Sequence, residues 1–245
     1  MNVVLTMAGK YQRFRLFGNR VPKYLMPLGK VTVLWHVIDE LKRSSSNIQV
    51  FLLANKEDRD FFPVLTAILS DFSIDPNNLA FIDDTNSQLE TAVTINNNFQ
   101  GRFLNNHDPI VFGNIDTIIK SRSSFFDRLS TLEKNEGLID SFKGSSHEYS
   151  YVKTSQDDIL DLIADGSRVS EKACSGLYGF GSTHFFSSEA KEVLRERKAA
   201  NFTNLYASLL EKGCSSYVQH NPDARDTIVL GTPEEYITNL HRFSL

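Results

Sequence analysis

Between Ala8 and Lys30 the chain reads AGKYQRFRLFGNRVPKYLMPLGK, with cations at Lys10, Arg13, Arg15, Arg20, Lys23 and Lys30. None of the first 38 residues is Asp or Glu, although the whole chain carries 30 acids against 26 bases. Lys and Arg side chains beside a Gly-containing loop can hold a polyanion, because cations and backbone N–H groups both stabilise phosphate oxygens. On charge alone, a solvated basic surface loop fits equally well. Two familiar phosphate motifs are excluded. A P-loop needs Gly where Tyr24 stands and Ser or Thr after Gly29-Lys30, where the chain has Val31. A dinucleotide fingerprint needs Gly at Tyr11 and Phe14. A second chemical feature is Asp116, which follows the apolar run IVFGNI. A carboxylate at the carboxyl end of a strand sits where open α/β sheets bind ligands and suits Mg²⁺.

The elements that must position these residues alternate. Asn2–Met7 reads as a buried strand, and Val31–Arg43 has the apolar spacing of an amphipathic helix. Strands are predicted at Ile48–Ala54, Leu79–Ile82, Pro109–Asn114 and Gly137–Lys143, and helices at Glu57–Leu69, Ser87–Phe99 and Ser123–Asn135. Ser87-x-x-Glu90 is a capping-box signal for the start of its helix. Further on, Tyr149–Thr154 and Ile159–Ala164 read as a hairpin, Ala173–Phe180 and Ser216–Gln219 as strands, and Glu189–Lys198 and Phe202–Lys212 as helices. After a strand at Thr227–Leu230, Thr232-Pro233-Glu234-Glu235 opens a last helix to about Phe243, with Thr as cap and Pro at the first helical position. This rhythm predicts an α/β fold: a single-domain, Rossmann-like, mixed but mostly parallel sheet with helices on both faces. One domain over 1–245 is expected, with a β-rich portion at about 137–182.

The bulk numbers limit the function. A chain of 245 residues with 41% hydrophobic content is long enough to bury a core. Its net charge of -4 argues against nucleic-acid binding. Two cysteines, Cys174 and Cys214, make neither a disulfide scaffold nor a zinc site. No stretch approaches the roughly 20 apolar residues that span a bilayer, and the start does not read as a signal peptide. The expectation is a cytoplasmic protein with no membrane partner.

Two linked blocks carry a resemblance. Met7-Ala8-Gly9-x-x-x-Arg13-Phe14 is followed by Val21-Pro22-Lys23-x-Leu25-x-Pro27-Leu28-Gly29. Together they resemble the signature of the sugar-phosphate nucleotidyltransferases, the NDP-sugar pyrophosphorylases and related cytidylyltransferases of nucleotide-diphospho-sugar transferase fold. Thr85–Ala92 is similar to that family's base-reading segment, and Ile110–Asp116 to its metal-binding strand. Ala173–Phe180 and Leu230–Glu234 are similar to two later family segments, so the likeness runs along nearly the whole chain.

The resemblance implies a nucleotidyltransferase that moves an NMP group from an NTP to a phosphorylated small-molecule acceptor and releases pyrophosphate. The acceptor would be a sugar phosphate or a related surface-polysaccharide precursor. It implies catalytic roles for Arg13, at the leaving pyrophosphate, and Lys23, at the α-phosphate. Met7, Ala8, Gly9, Lys10, Tyr11, Gln88 and Asn114 would bind the nucleotide, with backbone amides around the phosphates and Gln88 reading the base. Asp116 would hold Mg²⁺. A homo-oligomer is compatible with such folds. Arg15, Arg20 and Lys30 are assigned no chemistry, and Trp35, His36 and Cys174 read as packing residues.

The chain departs from the family at three places. Tyr11 stands where the second Gly of G-x-G is expected. Val229 stands where the family often has a second metal-binding Asp, and Asp226 would face the other way on a strand. After Ile163-Ala164 the chain gives Asp165-Gly166-Ser167-Arg168 rather than the Glu-Lys that grips a sugar phosphate. Lys153, Arg168 or Lys172 would then be the substitutes. Two other readings follow from the departures: a catalytically diverged nucleotide-binding protein of the same fold, and a glycosyltransferase of that fold.

Overall fold

The computed structural model describes residues 1–16, 18, 20–99 and 106–243. The chain opens with β1 (Asn2–Met7) and a short helix α1 (Gln12–Leu16), then a small ribbon of β2 (Pro27–Leu28) and β3 (Val31–Thr32). Next come α2 (Val33–Ser44), β4 (Gln49–Asn55), α3 (Phe62–Asp71), β5 (Leu79–Ile82), α4 (Gln88–Val93) and α5 (Ile95–Asn98). The middle of the chain supplies β6 (Ile110–Gly113), β7 (Thr117–Ile119), α6 (Ser123–Leu129) and β8 (Gly137–Lys143). Then follow β9 (Ser150–Thr154), β10 (Leu160–Asp165), β11 (Lys172–Phe180), α7 (Thr183–Glu196) and α8 (Phe202–Glu211). The chain closes with β12 (Ser216–Asn221), β13 (Thr227–Val229) and α9 (Pro233–Asn239).

The main sheet runs β10-β9-β11-β6-β1-β4-β5, with β8 joined to β11 and β12 to β8. β5, β4, β1 and β6 are parallel, whereas β11 is antiparallel to β6, β8 and β9. The expected mixed sheet with helices on both faces is therefore present. Alternation along the strands makes the two faces. Val3, Leu5 and Met7 of β1 join a core under α2, α3 and α6, while Val4 joins a second core under α4, α7 and α8. Each fully buried Val or Leu contributes about 1.5–3 kcal/mol.

β1 has β4 on one side and β6 on the other. The chain thus reverses its direction of travel across the sheet at β1, and the carboxyl ends of β1 and β6 flank a crevice. A second ribbon, β7 with β13, lies beside that crevice. It is closed by Leu230 N–H donating to the Asp116 carbonyl at 2.7 Å, which brings Gly231 and Thr232 up to Asp116.

The helix expected over Glu189–Lys198 instead starts at Thr183, where the Ser182 hydroxyl caps it by accepting the Phe185 N–H at 3.1 Å. Three other helices also differ from the expected spans, each for a local reason. The Ser87 helix breaks at Thr94, whose hydroxyl bonds back to the Thr91 carbonyl at 2.8 Å. The helix at Ser123 stops at Leu129 because the Ser130 and Thr131 hydroxyls take the Asp127 and Arg128 carbonyls. The span predicted from Glu57 opens instead as a 3₁₀ segment, Lys56–Phe61, and turns α-helical where Pro63 can start a helix. Among the described residues no helix is long and apolar enough to cross a membrane.

Candidate functional site

The crevice holds a cavity of about 540 Å³, lined by Ala8 to Phe14, Lys23, Asp84 to Gln88, and Asn114 to Asp116. It joins a smaller compartment of about 160 Å³, lined chiefly by Glu148 to Ser150, Cys174 to Gly176, Val229 and Glu235. Arg13, Asn114, Asp116 and Gly231 line both. Arg13, Lys23, Asp116, Gln88, Asn114 and the segment Ala8–Tyr11 are therefore brought together. Met7 stands behind this wall, with its side chain in the core and its carbonyl accepting a hydrogen bond from the Tyr11 hydroxyl.

Tyr11 adopts the left-handed backbone region, with φ 48°. A glycine takes this region freely, whereas a tyrosine there is strained. The strain has compensations. The Tyr11 carbonyl accepts the N–H groups of Phe14 and Arg15 and so starts α1. The ring is folded back, its hydroxyl on Met7 and its edge against Tyr24 with centroids 5.9 Å apart. Burial raises the phenol well above its usual pKa, so it stays a donor.

The loop has no acids of its own, yet four of its six cations are held by acids from elsewhere in the chain. Lys10 Nζ lies 2.5 Å from Asp84, Arg13 Nη1 2.6 Å from Glu148, Arg15 3.1 Å from Glu57, and Lys23 Nζ 3.1 Å from Asp116. The hydrogen bond from Lys10, and a second from Asn55 at 2.8 Å, hold the Asp84 carboxyl below its usual range. Lys23 differs from the others in being buried, with its ammonium 5.2 Å from the centre of the Phe14 ring. Arg15 points away from the cavity, toward Glu57.

Gln88 is pinned from below. Its amide nitrogen donates to Thr6 Oγ1 at 3.3 Å and to Asn114 Oδ1, while the Thr6 hydroxyl donates to the Gly113 carbonyl. Gly176 makes room for this arrangement, since a Cβ there would come within 2.6 Å of the Asn114 amide. Ser87 caps α4 as expected, but Glu90 bonds to the Asn86 N–H at 2.5 Å rather than closing the box on Ser87.

Lys153, Arg168 and Lys172, the cations expected at the acceptor, line neither compartment. The smaller compartment takes the start of β9 and the middle of β11, and these three cations lie further out. Lys153 and Arg168 are exposed, and Lys172 is tied to Thr154 and Asp158. What lines the compartment instead are carboxylates and hydroxyls that the sequence did not single out: Glu148, Tyr149, Ser175 and Glu235. Tyr149 donates to Glu235 Oε1 at 2.6 Å, and Glu235 Oε2 accepts the Thr232 N–H at 2.9 Å. The only signal for Glu235 was its place in the helix-start motif. Burial pushes the Cys174 thiol up to about 12, so it acts as a small neutral lining residue.

Gly231 sits between the carboxylates. A Cβ there would lie 3.1 Å from Glu235 Oε2, 3.9 Å from Asp116 Oδ2 and 4.0 Å from Val229 Cγ1. Among the described residues no group of three or more His, Cys, Asp or Glu side chains is placed to hold a metal.

This architecture has known counterparts. A nucleoside-diphosphate-sugar pyrophosphorylase from Vibrio cholerae RC9 superposes with a TM-score of 0.80 at 20% identity, covering 98% of this chain and 100% of that one. A candidate glucose-1-phosphate thymidylyltransferase from Bacillus anthracis gives 0.78 at 13% identity, over 99% of this chain and 95% of that one. An inositol-1-phosphate CTP transferase from T. maritima gives 0.75 at 11% identity, over 99% and 95%. The chain has the fold these three share. No protein-family model matches the sequence, and no curated protein matches it.

Proposed function

We propose that the protein is a nucleotidyltransferase that transfers an NMP group from an NTP to a phosphorylated acceptor. The observation that carries this reading is the pair of compartments sharing Arg13 and Asp116. A triphosphate in the larger one and an acceptor phosphate in the smaller would meet at these two residues. An acceptor phosphate oxygen attacks the α-phosphorus, the bond from that phosphorus to the bridging oxygen breaks, and pyrophosphate leaves. Charge spreads over the transferring group and leaving oxygen, so fixed cations and amides are the main resource. Lys23, buried in the wall of the larger compartment against Asp116, suits the α-phosphate. Arg13 suits the departing pyrophosphate, and the Ala8–Arg13 backbone the remaining phosphates. Gln88 has its amide nitrogen committed to Thr6 and Asn114, which leaves its oxygen to read a base edge.

The sequence resemblance implies Mg²⁺, and the residues fit it. Asp116 borders the space beside Gly231 that a Cβ would fill, and Mg²⁺ needs only one or two carboxylates when substrate phosphates and water complete its shell. When bound, the metal neutralises phosphate charge. In this reading 1–245 is one nucleotidyltransferase-like domain and 137–182 its acceptor side. The acceptor is a sugar phosphate or a related precursor with a hydroxyl-rich body, since Tyr149, Ser150 and Ser175 line its compartment. The test is pyrophosphate release with CTP, UTP or dTTP over a panel of phosphorylated acceptors with Mg²⁺. Activity with one pair is expected, and silence on every pair by the folded protein overturns the proposal.

One observation favours a diverged nucleotide-binding protein instead: Tyr11 and Val229 occupy positions where the resemblance expects Gly and Asp. Calorimetry separates the two readings. Nucleotide binding that ignores Mg²⁺, and is unchanged in Asp116→Asn, supports the diverged reading.

A further inference from the structure

Asp116, Val229 and Glu235 come from three different segments, yet their side chains border the same small space at Gly231. One of the three is apolar and two are carboxylates. Glu235 Oε2 is the nearest atom to that space, and both Glu235 oxygens are already oriented, one by the Thr232 N–H and the other by the Tyr149 hydroxyl. Those two bonds leave each carboxylate oxygen a further lone pair. A helix cap alone needs only the bond to Thr232. The Tyr149 bond comes from the loop that also bears Glu148, the partner of Arg13, so it ties Glu235 to the mouth of the cleft.

We infer that Glu235 is the second carboxylate of the Mg²⁺ site, a positioning residue that holds the metal's water shell against Asp116. It supplies from α9 the charge that Val229 does not supply from β13. This rests on the nucleotidyltransferase reading. The missing Cβ at Gly231 keeps the gap between the two carboxylates open.

The test is titration of Mn²⁺, followed by its electron paramagnetic resonance signal, with CTP, UTP or dTTP present. The proteins are wild type, Glu235→Gln, Asp116→Asn and the double variant Glu235→Gln with Val229→Asp. Gln at position 235 can still cap the helix through its amide oxygen, and the Tyr149 hydroxyl can turn to accept from its amide nitrogen. Glu235→Gln is expected to weaken Mn²⁺ binding in the nucleotide complex roughly 10- to 100-fold with the metal-free melting temperature unchanged. Val229→Asp, whose carboxylate borders the same space, is expected to restore it. Wild-type Mn²⁺ affinity in Glu235→Gln, alongside loss in Asp116→Asn, overturns the inference and leaves the enzyme reading standing. Failure of the wild type to bind Mn²⁺ with any of the three nucleotides removes both.

Discussion

Arg13 reaches across the mouth of the cleft to Glu148, with Nη1 and Oε2 2.6 Å apart although the two residues are 135 positions apart in the chain. The contact joins the N-terminal loop to the segment before β9, and so spans the larger compartment and the smaller. It also occupies the arginine proposed to meet the departing pyrophosphate. On the proposed reading Glu148 therefore competes with phosphate for this arginine, and Asp84 is paired with Lys10 in the same way.

Glu148→Gln is expected to tighten nucleotide binding. Both partners are about half exposed, so the pair is worth about 0.2–1 kcal/mol, which is up to about fivefold in affinity. Calorimetry at low salt should show the gain, and high salt should shrink it, because exposed pairs are screened. Weaker binding by Glu148→Gln would mean that Glu148 itself contacts the ligand.

Tyr11 offers a second test. Its backbone is strained and its hydroxyl is the bond that folds the ring beneath the loop. Tyr11→Phe keeps the ring against Tyr24 and removes only that bond. A stability loss of about 0.5–1.5 kcal/mol is expected in urea unfolding, the usual net value of one hydrogen bond. Nucleotide affinity should fall as well, since the strained turn is then held by less. An unchanged unfolding midpoint would show that the Met7 bond contributes nothing to the turn.

Strands of the main sheet were legible where apolar runs are buried on both faces, as in Asn2–Met7 and Ile48–Ala54, whereas the short strands β2, β3 and β7 were not. Helix starts were legible where a hydroxyl caps them, at Ser87 and Thr232. The helix at Ser123 was overextended because side-chain hydroxyls can compete for its carbonyls, which a periodicity pattern does not register. Within the cleft, Arg13 and Lys23 stood in the two linked blocks and Asp116 at the end of a predicted strand. Asp84, Glu148 and Glu235 were not legible, because each joins the cleft only through tertiary contacts with a distant segment. Local charge could not show that four cations of an acid-free loop meet distant carboxylates in three dimensions.

The same limit bears on the acceptor cations read from the sequence, and their role has a measurable consequence. Lys153, Arg168 and Lys172 sit away from both compartments. Replacing all three with Ala is expected to leave the acceptor KM within about twofold of wild type, as for surface changes worth no more than about 0.5 kcal/mol. Arg13→Ala, by contrast, should lower kcat/KM by 100-fold or more, at about 2.7 kcal/mol or above for a lost transition-state contact. A large rise in acceptor KM in the triple variant would restore these cations to the site.

Behind the smaller compartment lies a buried ion network. Arg122 donates to Glu40 and, at 3.1 Å, to Asp140, which also accepts the Ser175 hydroxyl at 2.5 Å. Glu40 is fully buried, and that burial raises its carboxyl from an ordinary 4.5 to about 7 even though Arg122 pulls the other way. A carboxyl with a raised folded-state pKa binds its proton more tightly in the folded chain than in the unfolded one. Its contribution to stability is therefore complete below the unfolded pKa of 4.5 and is lost as pH rises through about 7. At about 1.4 kcal/mol per pKa unit the loss is up to about 3 kcal/mol. Glu40→Gln keeps a partner for Arg122 but cannot titrate, so it should lack this slope. Urea unfolding at about pH 5 and about pH 7.5 reads the difference directly, because linkage ties the slope to the protons bound by each state. Wild type should lose stability relative to Glu40→Gln across that interval, and parallel curves would mean that Arg122 keeps Glu40 ionised throughout.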